Sequence, residues 1–444
     1  MLIASKGQPP RPSIDKGLFI SIILLMTVAT FKGADGIRSG YDDAIVAMVT
    51  HPIAGMLRNY GQYILFPLLG VTFAYEFFIK NTLRFKFDFL SFLIIMLPVY
   101  VFARVVVQYP DTASKYGLGA VIIMAICAYF ASCRSRLSGH EMIFSVVMAL
   151  AAFSVGLVAL NVLSYATGYG FLNRNPRFYG SSTHPNFLGV QMAVCLMSLF
   201  ALWSIGGRWP RIVAAVCMLA CLFLIVLTGS RTAIIVVLFG AYGAFWQNFS
   251  PRLKAVAALF AIVAVVGALS SESILSLDAY NRGSDGNTRS EAWSYLYDRV
   301  SEKPLLGFGI MEGYSENSIL RGWATFGIMF PILLMTVTLL AAYQYAGTSR
   351  LPIASRPYAG IPKGILWGLL AGSVFEGYLA DAFSFSWIVF VVAMILSSDV
   401  PRTMTESARR TLIGALGRPA AGRPPVGRMP PMGVRRPGVR QFTR

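Results

Sequence analysis

The amino-acid sequence predicts an all-α polytopic membrane protein of about twelve transmembrane helices, on three observations. Hydrophobic side chains make up 56% of the 444 residues and charged ones 13%, against roughly a quarter charged in soluble domains, and mean hydropathy is +0.62. Apolar stretches of about 20 residues, the length that crosses a bilayer, recur almost end to end. Alternate breaks between them are rich in Lys and Arg, as cytoplasmic loops are.

In chain order the apolar runs lie at 17–31, 60–79, 87–109, 117–133, 142–165, 186–205, 212–229, 231–249, 253–270, 322–346, 364–380 and 383–398. The last two also read as one broken helix, because Gly377 to Asp381 is a thin separator. With a basic N-terminus inside, every alternate segment is basic: Lys80, Arg84 and Lys86; Arg134 and Arg136; Arg208 and Arg211; Arg252 and Lys254; Arg350, Arg356 and Lys363. An even number of spans returns the C-terminus to the same side. The formal net charge of +18 is therefore a topology signal, and no nucleic-acid partner is expected.

Two regions follow. Residues 1–400 form the transmembrane domain, with one large outer loop at about 271–321, and no second soluble domain is expected. Residues 401–444 are rich in Arg, Pro and Gly, with Glu406 the only acid; they lack the apolar residues needed to fold and read as a disordered cytoplasmic tail, solvated or lying on anionic membrane lipids. The N-terminal segment shows no small-residue cleavage pattern of a signal peptide. Cys127, Cys133, Cys195, Cys217 and Cys221 all fall in or beside apolar runs, as small hydrophobes rather than a disulfide framework or a zinc site.

Three outward-facing constellations carry candidate chemistry. The first runs from Asn173 to Asn186 and holds Arg174, Arg177 and His184 ahead of Pro185 and Asn186. Pro185 and Asn186 alone read as a helix start, but arginines outside run against the positive-inside bias and ask for an anion. His184 is either a head-group-level side chain or a proton acceptor.

The second is Thr228-Gly229-Ser230-Arg231-Thr232-Ala233, between two runs too close to leave a loop. Arg231 sits at the membrane boundary, either snorkelling or facing a cavity. Ser230 and Thr232 open a helix whose free N–H groups suit an anion, and a guanidinium fork beside them suits phosphate.

The third is the large loop, with Arg289 and Trp293, then Pro304-Leu305-Leu306-Gly307-Phe308-Gly309, then Tyr314, Glu316 and Asn317. Trp293, Leu296 and Val300 stand at helical spacing, which predicts a short surface helix. Cations, acids and aromatics together are what a sugar diphosphate requires; the structural alternative is a solvated loop with ordinary ion pairs.

These residues resemble the O-antigen ligase and polymerase superfamily of bacterial envelope proteins, the ligase/Wzy type. The resemblance covers roughly residues 170–345 and rests on Pro185-Asn186 opening a span, on Gly229 to Ala233, and on the ordered series Arg289, Trp293, Pro304 to Gly309, Asn317 and Gly327. It implies a GT-C-like, metal-independent glycosyltransferase of about twelve helices with a large periplasmic loop, working in the bacterial inner membrane with both termini cytoplasmic. Its substrates would be an undecaprenyl-diphosphate-linked oligosaccharide and an acceptor glycan, with a chain-length regulator as a possible partner and no cofactor.

By position, Arg231 and Arg289 match the arginines that hold the carrier diphosphate, with Arg177 and Arg174 beside them. Ligases carry a histidine immediately before the asparagine that matches Asn317, and here Glu316 stands there, which points toward a repeat-unit polymerase. The later Gly-x-x-Gly is incomplete, reading Gly327 to Phe330.

The chemistry follows from elementary requirements. Fixed cations stabilise a diphosphate leaving an anomeric carbon, and the acceptor hydroxyl needs a proton acceptor. Glu316 fits that role first, in a single displacement that inverts the anomeric centre, and His184 second. Ser230, Asn186, Asn317, Trp293 and Tyr314 complete the expected substrate contacts. A polymerase is the leading expectation, a glycan ligase the same-class alternative, and a flippase of lipid-linked oligosaccharides the alternative of another class.

Overall fold

Backbone N–H and C=O groups in lipid must be satisfied within the chain, which leaves helices for every apolar run. A computed structural model of the protein, describing residues 13–31, 50–80, 84–172, 175–245, 288–310, 316–353 and 355–416, has this all-helical character. The helices are α1 (Lys16–Thr30), α2 (Pro52–Lys80), α3 (Phe89–Gln108), α4 (Ala113–Arg136), α5 (Gly139–Ala166), α6 (Pro185–Ile205), α7 (Arg208–Thr228), α8 (Arg231–Phe245), α9 (Thr288–Glu302), α10 (Ser318–Phe326), α11 (Met329–Ala346), α12 (Arg356–Gly372), α13 (Phe385–Ser397) and α14 (Asp399–Leu416). A two-stranded antiparallel hairpin, β1 (Phe171–Leu172) and β2 (Asn175–Phe178), precedes α6.

Eight helices among the described residues are long and apolar enough to cross a membrane. The expected run at 253–270 lies outside the described residues. The run at 322–346 is not one helix: Gly327, at φ 85°, divides it into α10 and α11. Residues 401–416, expected in a disordered tail, are helical. Polar contacts hold α14 there: Arg402 donates to the carbonyl of Leu137 at 2.9 Å and to Asp399 at 2.5 Å, and Glu406 accepts from the Gly139 N–H at 3.2 Å. Composition cannot count such tertiary partners.

Helix ends are set by local chemistry. Asp15 caps α1 through the Leu18 N–H at 2.9 Å, Asp88 caps α3 through the Ser91 N–H at 2.6 Å, and Ser138 with Glu141 forms a capping box on α5.

The chain's alternation gathers the charges at two ends. At one, Arg134 is buried and pairs with Asp88 at 2.7 Å and Asp399 at 3.1 Å. Beside it Arg136 meets Asp15 at 2.7 Å and Glu76 at 3.1 Å, and Lys80 meets the same two acids. The basic residues expected in solvated loops thus tie α1, α2, α3, α4 and α14 together.

α8 and α12 pack through small residues. Gly360, Gly364, Gly368 and Gly372 recur every fourth position of α12, on the face toward α8, where a Cβ on Gly364 would stand 2.5 Å from the Gly240 carbonyl and one on Gly368 2.5 Å from that of Val236. Small-xxx-small spacing lets helix backbones approach closely in lipid. The consequence reaches the opposite end: the residues just past α12 are pressed against the first turn of α8.

Candidate functional site

At that opposite end four segments converge around one buried glutamate. Glu376, four residues past α12, is 4% exposed. Its Oε1 accepts from Asn186 Nδ2 at 2.7 Å, in the first turn of α6, and from the Thr232 hydroxyl at 3.2 Å, in the first turn of α8. Its backbone carbonyl accepts from Ser318 Oγ at 2.6 Å, the first residue of α10. Ser318 Oγ in turn accepts from the Leu379 N–H at 3.0 Å.

Arg177 reaches this cluster from the hairpin. The buried Phe178 ring packs against Phe171 at 5.1 Å and anchors β2. The buried Asn161 side chain clasps Ser181, donating to its hydroxyl at 3.0 Å and accepting from its N–H at 2.8 Å. So held, Arg177 donates Nη2 to Asn186 Oδ1 at 2.5 Å and Nε to the Thr228 carbonyl at 2.7 Å. Arg177, Asn186 and Glu376 form a continuous chain of charge-assisted hydrogen bonds, which are the stronger kind. Arg177 therefore locks the α7–α8 joint to the start of α6.

The joint is a tight turn. Gly229 takes the left-handed conformation at φ 58°, and the Ser230 hydroxyl accepts from the Ala233 N–H at 3.2 Å. Ser230 is fully buried, and a Cβ on Gly189 of α6 would lie 2.6 Å from its own Cβ. Its structural duty is to cap α8 and seat it on α6. Arg231, the first residue of α8, is half-buried beside Thr232.

His184 caps α6: its Nδ1 accepts from the Asn186 N–H at 3.2 Å. A ring nitrogen that accepts a backbone N–H is unprotonated, which leaves the neutral ring's proton on Nε2. His51 does the same ahead of Pro52, accepting from the Ile53 N–H at 3.2 Å. The His-Pro pair is thus a recurrent helix start in this chain.

Asn317 caps α10, its Oδ1 accepting from Ile319 and Leu320 N–H groups at 3.1 Å each, with a φ of 54° that few residues other than glycine and asparagine adopt. Adjacent Glu316 is half-buried, and its Oε2 is buried with no hydrogen-bond partner among the described residues. Trp293 lies on α9 with its ring 6.2 Å from Phe375, and its indole Nε1 is likewise buried without a partner among the described residues. The expected helical spacing holds: Leu296 and Val300 are buried against Ala324 of α10.

The Pro304 to Gly309 segment has a structural role. Phe308 and Gly309 donate to the Ala324 and Thr325 carbonyls at 2.9 and 2.6 Å, and a Cβ on Gly307 would stand 2.5 Å from the Gly327 nitrogen. Gly307, Gly309 and Gly327 all have positive φ, so this clip, which fastens α9 to the end of α10, demands glycine.

Arg174, Tyr314 and the side chain of Arg289 lie outside the described residues. The structure brings Arg177, Asn186 and the Thr228–Thr232 joint together, and Asn317 reaches them through Ser318. Reading the sequence missed Glu376. It sits in the apolar run 364–380, where an ionisable residue is itself a functional signal. Arg58 and the Arg321–Asp381 pair at 3.3 Å were missed too, because each is an isolated charge without a motif.

A family model described as O-Antigen ligase matches residues 213–332, from α7 through the start of α11. That match supports the resemblance to the O-antigen ligase/polymerase superfamily. No curated protein matches the chain.

Proposed function

We propose, from the family match over residues 213–332, that this protein polymerises lipid-linked oligosaccharide repeat units into a bacterial surface polysaccharide. The glycan passes from undecaprenyl diphosphate to an acceptor sugar hydroxyl on the periplasmic face of the inner membrane. Arg231 and Arg289, with Arg174, hold the diphosphate; Arg177 positions the turn that carries Arg231. As the acceptor oxygen bonds to the anomeric carbon, the bond from that carbon to the diphosphate breaks, undecaprenyl diphosphate leaves with the electron pair, and the hydroxyl proton passes to Glu316. One displacement inverts the anomeric centre, and the arginines supply the charge stabilisation a divalent cation would otherwise give.

The observation that carries this reading is the buried, unpartnered Oε2 of Glu316. A buried carboxylate oxygen with no partner among the described residues lacks the stabilisation that folded proteins give buried polar atoms, and an incoming hydroxyl supplies it. His184 is the weaker base, because its Nδ1 is already occupied.

The description of the matched family favours a second reading, a ligase that hands the finished glycan to a lipid A-core or other acceptor. Incubating the purified protein with lipid-linked repeat units alone separates the readings. Longer chains establish a polymerase. Transfer only to an added distinct acceptor establishes a ligase, and glycan left unchanged under both conditions overturns both.

A further inference from the structure

Next to the Glu376 cluster, but sharing none of its hydrogen-bonded side chains, is a cavity of about 70 Å³ between the end of α1, the start of α2, the start of α6 and the start of α13. Arg58, Thr183, Phe187, Gln191, Asp381 and Ser386 are among its walls. We propose that this cavity is a subsite for one neutral sugar residue of a glycan substrate; the assignment of that sugar to a transferase rests on the function proposed above.

The ligand chemistry is read from the walls. Gln191 is 5% exposed, and its Oε1 is buried with no hydrogen-bond partner among the described residues although the side chain lines an open space. An acceptor in that position requires a donor from the occupant, which excludes an acyl chain. The same atom disfavours phosphate, whose oxygens bring no proton toward a carbonyl, and the walls carry no net excess of cations to attract one, because Arg58 shares the cavity with Asp381, itself paired with Arg321 at 3.3 Å. The Arg58 donors are already engaged by neutral groups: Nη2 donates to the Ser181 carbonyl at 2.9 Å and Nη1 is 3.5 Å from the Thr50 hydroxyl.

What fits is a hydroxyl-bearing, uncharged group, which donates to Gln191 Oε1 and Asp381 and accepts from Thr183 and Ser386. Phe187 provides an apolar face of the kind that packs on a pyranose ring. The volume holds several waters' worth of ligand atoms, enough for one edge of a monosaccharide and too little for an oligosaccharide. The cavity adjoins the Glu376 corner, because Phe187 follows Asn186 and Asp381 lies five residues beyond Glu376.

The sugar can come from the donor or from the acceptor, and the test separates them. The probe for binding is the free repeat-unit oligosaccharide released from its carrier, followed by saturation-transfer NMR on the full-length protein in nanodiscs. Wild-type protein is expected to bind it, and Gln191→Leu, which keeps volume and removes the acceptor, is expected to weaken binding roughly tenfold, as does the loss of one buried hydrogen bond. Thr183→Val, on a different segment, is expected to weaken it about threefold and carries the test if the first variant does not fold.

Steady-state kinetics then use undecaprenyl-diphosphate-linked repeats as donor and the same repeat on a soluble alkyl aglycone as acceptor. A raised acceptor KM with unchanged donor KM assigns the pocket to the acceptor, and the converse assigns it to the donor. Binding that falls in the variants while the wild type transfers nothing upholds the subsite and overturns the transferase. No binding to the wild type, or equal affinity in wild type and both folded variants, overturns the subsite.

Discussion

Asn186 Nδ2 donates to Glu376 Oε1 at 2.7 Å across 190 residues of chain. Because Asn186 also accepts from Arg177, the amide is fixed in one orientation, oxygen toward the guanidinium and nitrogen toward the carboxylate. The buried Glu376 thereby ties four elements into one corner: its carboxylate joins α6 to α8, its backbone carbonyl holds α10, and the hairpin is linked through Asn186.

Removing that carboxylate should loosen the corner. Glu376→Ala leaves the Asn186 amide and the Thr232 hydroxyl without their acceptor, at a cost of about 1–3 kcal/mol for each stranded group. The expected outcome is a clear fall in melting temperature in detergent and loss of glycan product, while Glu376→Gln retains an acceptor oxygen and most of the stability. Equal melting temperatures for Glu376→Ala and wild type would refute the structural role.

Arg231→Ala and Arg289→Ala are expected to abolish glycan assembly while leaving protein level and membrane insertion intact. Gel profiles of surface polysaccharide and immunoblots of membrane fractions measure the two effects. Polymer of normal length in both variants would remove the diphosphate role.

Glu316→Gln should lower transfer by roughly 10²–10⁴-fold, the usual worth of a general base, with little change in stability because the Asn317 cap is untouched. His184→Asn should stay within a few-fold of wild type, since asparagine is itself a strong N-cap. The reverse pattern, full activity in the glutamate variant and none in the histidine variant, would move the base to His184.

Gly327→Ala should destabilise the fold by about 1–3 kcal/mol from its positive φ, with a further penalty from the Leu305 carbonyl against which a Cβ would press. The result is read as a lower melting temperature and faster proteolysis between α9 and α10. A neutral alanine there would mean that the clip is unimportant.

Acid should weaken the opposite end. Burial pushes the Asp88 carboxyl up, but the Arg134 guanidinium and the Ser398 and Ser91 groups outweigh it, and the net pKa is below the ordinary carboxylate value. For Asp15 burial is likewise outweighed, by Arg136, the Leu18 N–H and Lys80. A carboxyl with a lowered folded pKa binds fewer protons folded than unfolded. Its contribution is therefore complete above the unfolded value, near pH 4, and is lost as pH falls through the folded one. Melting temperature should drop below about pH 4, and Asp88→Asn should flatten that drop; an unchanged acid slope in the variant would contradict the pairing.

Much of the fold was legible because lipid imposes one rule on every span. Apolar length located α1 through α8, and charge alternation sorted their ends. Pro185 and Asn186 marked a helix start that the structure keeps. The site was legible only where residues stood in short order: Arg177, Asn186 and the Thr228–Thr232 joint were found, whereas Glu376 was absorbed into an apolar run. The break at Gly327 was hidden because the hydropathy of 322–346 is continuous, and the helix over 401–416 because Arg402 and Glu406 find their partners on α5 and its approach.

The sequence by itself determined that this chain lives in a membrane, roughly where it crosses, and that arginines, a histidine and an asparagine gather at alternate breaks. Hydrophobic periodicity reports how a residue relates to the surrounding medium, and spacing reports how it relates to its own helix. Neither specifies which helix becomes its neighbour. Only the tertiary structure decided that, through a glycine face that brings α12 against α8 and so sets Glu376 between Asn186 and Thr232.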